Sequence, residues 1–163
     1  MPTLLAIDTC STKCKVALLQ QGSVSLREGN ELQKIAQNIL VLIDDLLTEA
    51  GLVYNQLDAL AVVTGPGSFT GVRIGVAIAQ GLSLSSSTPV VAISSLAILA
   101  SAASQKFDGD LFLSCMKARE NEVYFGVYQC SCPWITPSIT MKHWHSCKKS
   151  KFVCHIPSSN TTS

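Results

Sequence analysis

Two kinds of segment alternate along the first 129 residues, and together they predict a layered α/β fold. Short apolar runs of strand length are followed by longer stretches with a one-sided helical period. A third observation strengthens the prediction. At Gly65-Pro66-Gly67-Ser68-Phe69-Thr70-Gly71-Val72-Arg73-Ile74-Gly75 a glycine-rich loop joins the apolar run Leu57 to Val63 to a helix of almost unbroken apolar residues.

The elements can be justified in chain order. Thr3 to Ile7, Lys15 to Leu19 and Ser23 to Leu26 are β-like runs, with Gln20-Gln21-Gly22-Ser23 as a hairpin turn. From Leu32 to Ala50, apolar residues at 32, 35, 36, 39, 43, 46, 47 and 50 trace one face of a helix, which Gly51 ends. Leu40 and Leu42 lie off that stripe. The apolar face is therefore wider than a single core contact needs; it either covers a partner or is buried more deeply in its own domain. A strand at 59–64, the glycine-corner helix from Val72 to Leu84, a strand at 90–94, a helix from Ser95 to Ala103 and strands near 111–115 and 123–128 follow. The order βββαβαβ is that of a layered α/β domain.

The glycine corner is the first candidate site. Gly65 and Gly67 permit backbone angles closed to other residues, Pro66 stiffens the turn, and Ser68 or Thr70 can cap the free amides of the helix. Such a corner can hold a phosphate or carboxylate, or serve only as a tight turn that lets strand and helix pack. No lysine follows the last glycine as a Walker loop requires, and the spacing is GxGxxxG rather than the GxGxxG of dinucleotide folds. Gly71, Gly75 and Ala79 recur every four residues and form a smooth face that another helix could approach. Arg73, Gln80 and the serines at 83 and 85–87 argue against a membrane span, and the apolar stretch at residues 3–7 is too short for a secretory signal. The expected location is the cytoplasm, with no membrane association.

Composition divides the chain at residue 130. Residues 1–129 carry all eleven acidic residues against eight Lys or Arg, a net −3, whereas residues 130–163 carry four lysines and no acid, a net +4. The tail also holds both tryptophans, all three histidines and four of the seven cysteines, without a sustained period. An out-of-frame reading accounts for all of these shifts, and a gene sequence continuing the earlier pattern would refute it. The rival is a small zinc knuckle drawn from Cys130, Cys132, His143, His145, Cys147, Cys154 or His155, whose spacing fits no standard CxxC pair. The expected organisation is a first lobe at 1–105, the start of a second lobe at 106–129, and a poorly ordered tail at 130–163. Seven cysteines without a signal peptide point to thiols rather than a disulfide framework.

Four segments occur in the order of one known family: Ala6-Ile7-Asp8-Thr9, the glycine motif from Gly65 to Gly75, Ala79-Gln80-Gly81-Leu82 and Glu122-Val123-Tyr124. Over about residues 1–129 the chain resembles the TsaB (YeaZ) family. The resemblance implies an actin-like ATPase (RNase H-like) first lobe with a truncated second lobe. It also implies a noncatalytic accessory subunit for threonylcarbamoyladenosine, the modified adenosine of tRNAs that read codons starting with A. The implied partners are the catalytic paralogue TsaD, as a heterodimer, and the ATPase TsaE. A homodimer is a further implied state, and tRNA is met only through the complex. The helices matching Leu32 to Ala50 and Thr70 to Leu84 form the family's pairing surface, which here offers Ile35, Ile39, Leu42, Leu46, Gly71, Ile74, Gly75, Ile78, Ala79 and Leu82.

The same resemblance implies that TsaD holds a metal partly through two histidines four residues apart on its first long helix. This chain has Ile35 and Ile39 in that helix and no histidine before His143, so no metal site and no catalytic residue is assigned. Cys10, Cys14, Cys115 and Ser68 lack a histidine base within residues 1–129. Asp8 with Thr9, Cys10, Ser11 and Thr12 occupies the hairpin that meets phosphate and magnesium in actin-like folds. Here Cys10 stands where a glycine is usual, leaving Asp8 either a turn residue or a vestigial nucleotide contact. Asp8, Ser11, Thr12, Gly65, Gly67 and Ser68 are the candidate nucleotide or anion residues, with no cofactor of the chain's own and ATP or ADP at most at the complex interface. Arg119 and Glu122 match a family segment in which Lys117 replaces an aspartate and Asn121 a glycine, and an ordinary hairpin is expected there. The reading from a different class is a stand-alone actin-like ATPase or small-molecule kinase. Strong direct tRNA binding is not expected, because residues 1–129 lack a basic stripe with interleaved aromatics.

Overall fold

The computed structural model describes residues 1–29, 35–119, 122–131, 134–145 and 151–156, with side chains described up to Gln129 outside 30–37 and 120–121. The first sheet has the strand order β3-β2-β1-β4-β5. Its strands are β1 (Leu4–Asp8), β2 (Cys14–Gln20), β3 (Ser23–Gly29), β4 (Ala59–Val63) and β5 (Val90–Ile93). β1, β2 and β3 pair antiparallel, while β1, β4 and β5 run parallel. The β2–β3 turn forms because Gln21 and Gly22 both take positive φ, 51° and 83°, the primed geometry that matches strand twist.

Helices α1 (Ile35–Glu49) and α2 (Phe69–Ser86) cross over between strands and lie on one face of this sheet. Alternation along the strands sends Leu5, Ile7, Val16, Leu18, Leu60 and Val62 to that face, where each is at most 3% exposed. Ile39, Ile43, Leu46 and Leu47 of α1 and Ala79 of α2 complete the core. The end of α1 is fixed by Gly51 at φ 65°, with the Leu52 amide donating to the Leu47 carbonyl across the last turn at 2.9 Å. Arg27 of β3 pairs with Glu49 of α1 on the same side.

The second sheet, ordered β8-β7-β6-β9, is antiparallel throughout. Its strands are β6 (Leu111–Lys117), β7 (Glu122–Ser131), β8 (Trp134–His145) and β9 (Lys151–Ile156). Helix α3 (Ser95–Ser104) packs on it, burying Leu96, Ala100 and Ala103 against Phe112 and Tyr128. The chain divides between Ile93 and Ser94, ahead of the boundary expected at residue 105, because α3 joins the core of the second unit. The described residues 134–145 and 151–156 of the tail form β8 and β9. A ladder needs only extended backbone on either edge of β6 and β7, so strand pairing is open to sequences without a clear period. Among the described residues no helix is long and apolar enough to cross a membrane.

Candidate functional site

The glycine corner and the loop after β1 form one interlocked unit. Ser68 caps α2 by accepting from the Gly71 amide at 3.2 Å, as its residue type suggested. The Ser68 amide donates to the Cys10 carbonyl at 2.8 Å. The buried Thr9 hydroxyl donates to the Gly71 carbonyl at 2.6 Å, and the Cys10 thiol donates to the Val63 carbonyl at 3.1 Å. Space is as restricted as polarity. A side chain on Gly67 would meet the Cys10 backbone, one on Gly71 the Thr9 carbonyl, and one on Gly75 the Thr9 hydroxyl and Val62. Gly65, at φ 93°, occupies backbone space that favours glycine.

These contacts bear on the two roles open to the corner. The amides of Ser68 and Gly71, which an anion at this helix end would use, are satisfied internally by Cys10 and by Ser68 itself. The Asp8 carboxylate accepts the Cys10 amide at 2.8 Å, an Asx-type turn, and the Ser11 hydroxyl donates to the Lys13 carbonyl at 2.8 Å. Thr12 is exposed in the same loop. Through these contacts strand, loop and helix close on one another. Beside it, Lys13 and Lys15 both reach Glu28, at 3.3 and 3.1 Å. The Lys15 and Lys13 ammonium groups hold the Glu28 carboxyl below the usual value, Lys15 contributing most.

The partner-facing residues read from the sequence separate into two groups. Gly71, Gly75 and Ala79 are the buried residues of α2, and Gly71 and Gly75 close on Thr9 and Val62 of the same unit. Ile39 and Leu46 are likewise core residues, at 0% and 1% exposure. Small residues every four positions permit close approach by any neighbour, and at Gly71 and Gly75 that neighbour is the β1 loop. Leu42, Ile74, Ile78 and Leu82 are half-buried and pack against the core, and the side chain of Ile35 lies outside the described residues. The apolar side chains these helices turn to solvent are different ones: Leu40 (46% exposed) and Val41 (59%) on α1, with Phe69 and Leu84 on α2. Arg73 stacks its guanidinium 3.7 Å from the Phe69 ring centroid. The off-stripe position of Leu40 was visible in the sequence, and the same 100° rotation per residue would have added Val41.

Elsewhere, β6 and β7 form the expected hairpin, closed by bonds from the Ala118 amide to the Glu122 carbonyl at 2.9 Å and from the Glu122 amide to the Arg119 carbonyl at 3.2 Å. Asn121 lies outside the described residues, as do Cys132 and Cys147. Cys130, His143, His145, Cys154 and His155 fall on strands, and their side chains lie outside the described set.

The sequence and fold can be compared with known proteins. A family model described as TsaD, tRNA N6-adenosine threonylcarbamoyltransferase, matches residues 32–135. The chain is 45% identical over 128 residues to the tRNA threonylcarbamoyladenosine biosynthesis protein TsaB of Haemophilus influenzae, an alignment covering 76% of this chain and 52% of that one. With the Escherichia coli protein of the same description it shares 41% over 126 residues, covering 77% and 54%. Among solved structures, YeaZ from Pseudomonas aeruginosa superposes with a TM-score of 0.76 at 37% identity, covering 94% of this chain and 67% of that one. The chain spans about half the length of the curated relatives it matches. With the 3-2-1-4-5 sheet, the glycine corner and the α1–α2 layer all in place, the chain belongs to the TsaB (YeaZ) family, with an actin-like, RNase H-like first lobe.

Proposed function

We propose that this chain is a noncatalytic accessory subunit in the synthesis of threonylcarbamoyladenosine on tRNA, and that it works by pairing with a TsaD-type catalytic subunit through the outer face of α1 and α2. The observation that carries the reading is the identity to curated TsaB proteins across residues that include both helices. The noncatalytic role is supported by the sequence, which has no histidine before His143 to serve as metal ligand or general base in the first unit. The polar groups of the glycine corner and the β1 loop hold the lobe together, so the proposal assigns Asp8, Ser11, Gly65, Gly67 and Ser68 to scaffolding rather than to nucleotide.

Pairing is assigned to the exposed apolar residues, Leu40 and Val41 above all, since an apolar side chain in water gains most from being covered. The test is co-purification of the full chain with the TsaD protein of the same organism, wild type against Val41→Glu. Retained pairing in wild type and at least about tenfold weaker pairing in the variant, with unchanged circular dichroism, supports the reading; a charge buried in an apolar contact costs at least that much. Pairing unaffected by Val41→Glu removes this face from the proposal, and nucleotide hydrolysis by the chain alone would favour the ATPase class instead.

A further inference from the structure

Strand β3 closes one side of the first sheet, and among the described residues only β2 pairs with it. Its outer edge therefore carries backbone groups with no ladder partner there. The hairpin decides which residues these are. A two-residue turn with positive φ at Gln21 and Gly22 makes Gln20 and Ser23 a hydrogen-bonded pair, so Ser23, Ser25, Arg27 and Gly29 bond to β2. The amides and carbonyls of Val24, Leu26 and Glu28 point the other way. In keeping with this, the Leu26 carbonyl accepts from the guanidinium of its neighbour Arg27 at 3.1 Å, an exposed contact that leaves the oxygen a second lone pair. Side chains do not shield the edge: Ser23, Val24, Ser25 and Leu26 are all exposed, Val24 by 68% and Leu26 by 50%. The stretch Ser23 to Leu26 holds no proline, lysine or bulge, the devices that ordinarily keep a strand edge from pairing.

This edge is complementary to itself in one register. Antiparallel pairing about a two-fold axis at Ser25 sets Val24 against Leu26 of a second copy, and Leu26 against its Val24. Both are outward-bonding positions, so each pair exchanges two backbone hydrogen bonds. Four exposed apolar side chains then meet on one face, Ser25 meets Ser25, and Arg27 and Glu28 lie opposite Ser23 and Gly22. The adjacent registers that keep the bonding pattern put Val24 against Glu28, or Leu26 against Gly22 at the turn. The match selects the occupant, since the strand's own sequence supplies the complement at every position of the seam. Seven residues at about 3.4 Å make that seam roughly 24 Å long and one strand wide. Such a seam offers far less than the about 800 Å² per partner of a stable interface, so the pairing is weak and governed by concentration.

We propose that the outer edge of β3 is a self-association site, at which two copies of this chain join their first sheets antiparallel across Ser25 into one continuous sheet. Pairing there involves neither α1 nor α2 and is independent of what those helices hold.

The experiment follows backbone hydrogen exchange of the full chain between about 20 μM and about 1 mM, the range of weak association. The Val24 and Leu26 amides should slow as concentration rises, whereas the Ser25 and Arg27 amides, bonded to β2, should not change. In parallel, Ser25→Cys and Ser23→Cys are mildly oxidised and the disulfides between the introduced thiols are mapped by mass spectrometry. Two copies of position 25 stand about 4.5 Å apart between Cα atoms, within disulfide reach, but two copies of position 23 stand about 14 Å apart. At least about tenfold more cross-linked dimer is expected at position 25. Adding Leu26→Lys, at a half-exposed edge position that leaves the chain folded by circular dichroism, should cut that cross-link at least about tenfold. Leu40→Glu on α1 should leave it unchanged. Exchange at Val24 and Leu26 that ignores concentration, equal cross-linking at the two positions, or a cross-link that persists in Leu26→Lys or is lost in Leu40→Glu would each overturn the proposal.

Discussion

At the scale of single residues, the interlock between Thr9 and the glycines of α2 makes the sharpest prediction. Gly71→Ala pushes a methyl group into the Thr9 carbonyl and is expected to destabilise the chain by at least about 2 kcal/mol in urea unfolding, because the obstacle is backbone on both sides. Gly81→Ala, on the exposed side of the same helix with nothing within 4 Å, is expected to stabilise by about 0.5–1 kcal/mol. A substitution such as Gly75→Leu therefore tests folding, not pairing. The Glu28 carboxyl gives a pH prediction. Its pKa is lowered in the folded chain, so its contribution to stability is present above the unfolded value and lost as pH falls through the folded one. Contact with solvent keeps that contribution small. In a carboxyl-carbon NMR titration the midpoint should lie below that of an ordinary glutamate and rise more in Lys15→Ala than in Lys13→Ala, following the larger share of Lys15.

At the scale of elements, periodicity was sufficient to locate the strands and α-helices of the described residues up to Gln129, with ends displaced by a few positions, but not the short 3-10 turn at Tyr54–Gln56. The Leu5, Ile7, Val16 and Leu18 alternation and the Ile39, Ile43, Leu46 and Leu47 stripe are local signals, and they led to the buried faces observed. The partner of a face is not a local signal. Gly71, Gly75 and Ala79 advertise close approach, yet what approaches is Thr9, which is brought there only by the β1–β4 pairing. Among the candidate residues Ile39, Leu46, Gly71, Gly75 and Ala79 are buried, Leu42, Ile74, Ile78 and Leu82 lie half-buried against them, and Leu40 and Val41 are the side chains of α1 left to water. This contrast makes α1 testable as an element: Ile43→Ala removes a fully buried side chain and should cost about 2–5 kcal/mol, whereas Val41→Ala on the same helix should stay within about 0.5 kcal/mol in the same unfolding measurement.

At the scale of the whole molecule, each unit holds its own core, Leu5 to Ala79 in one and Leu96 to Tyr128 in the other. A chain ending at Ile93 should therefore retain cooperative unfolding and the dispersed methyl spectrum of the first unit, whereas one ending at residue 105 should add an α3 with no sheet to cover its apolar side. The sequence could not place this boundary, because Leu96, Ala100 and Ala103 state that α3 needs a core without stating which one. The exposed apolar side chains of the first sheet bear on a different quantity, the lifetime of the chain in a cell. Chaperones and proteases sort proteins by apolar surface that stays in view, and a face with Val24, Leu26 and Val91 each at least half exposed is in view without any unfolding event. Turnover of this chain is then set by how often the face is masked, and its abundance should respond to substitutions there before its folding stability does.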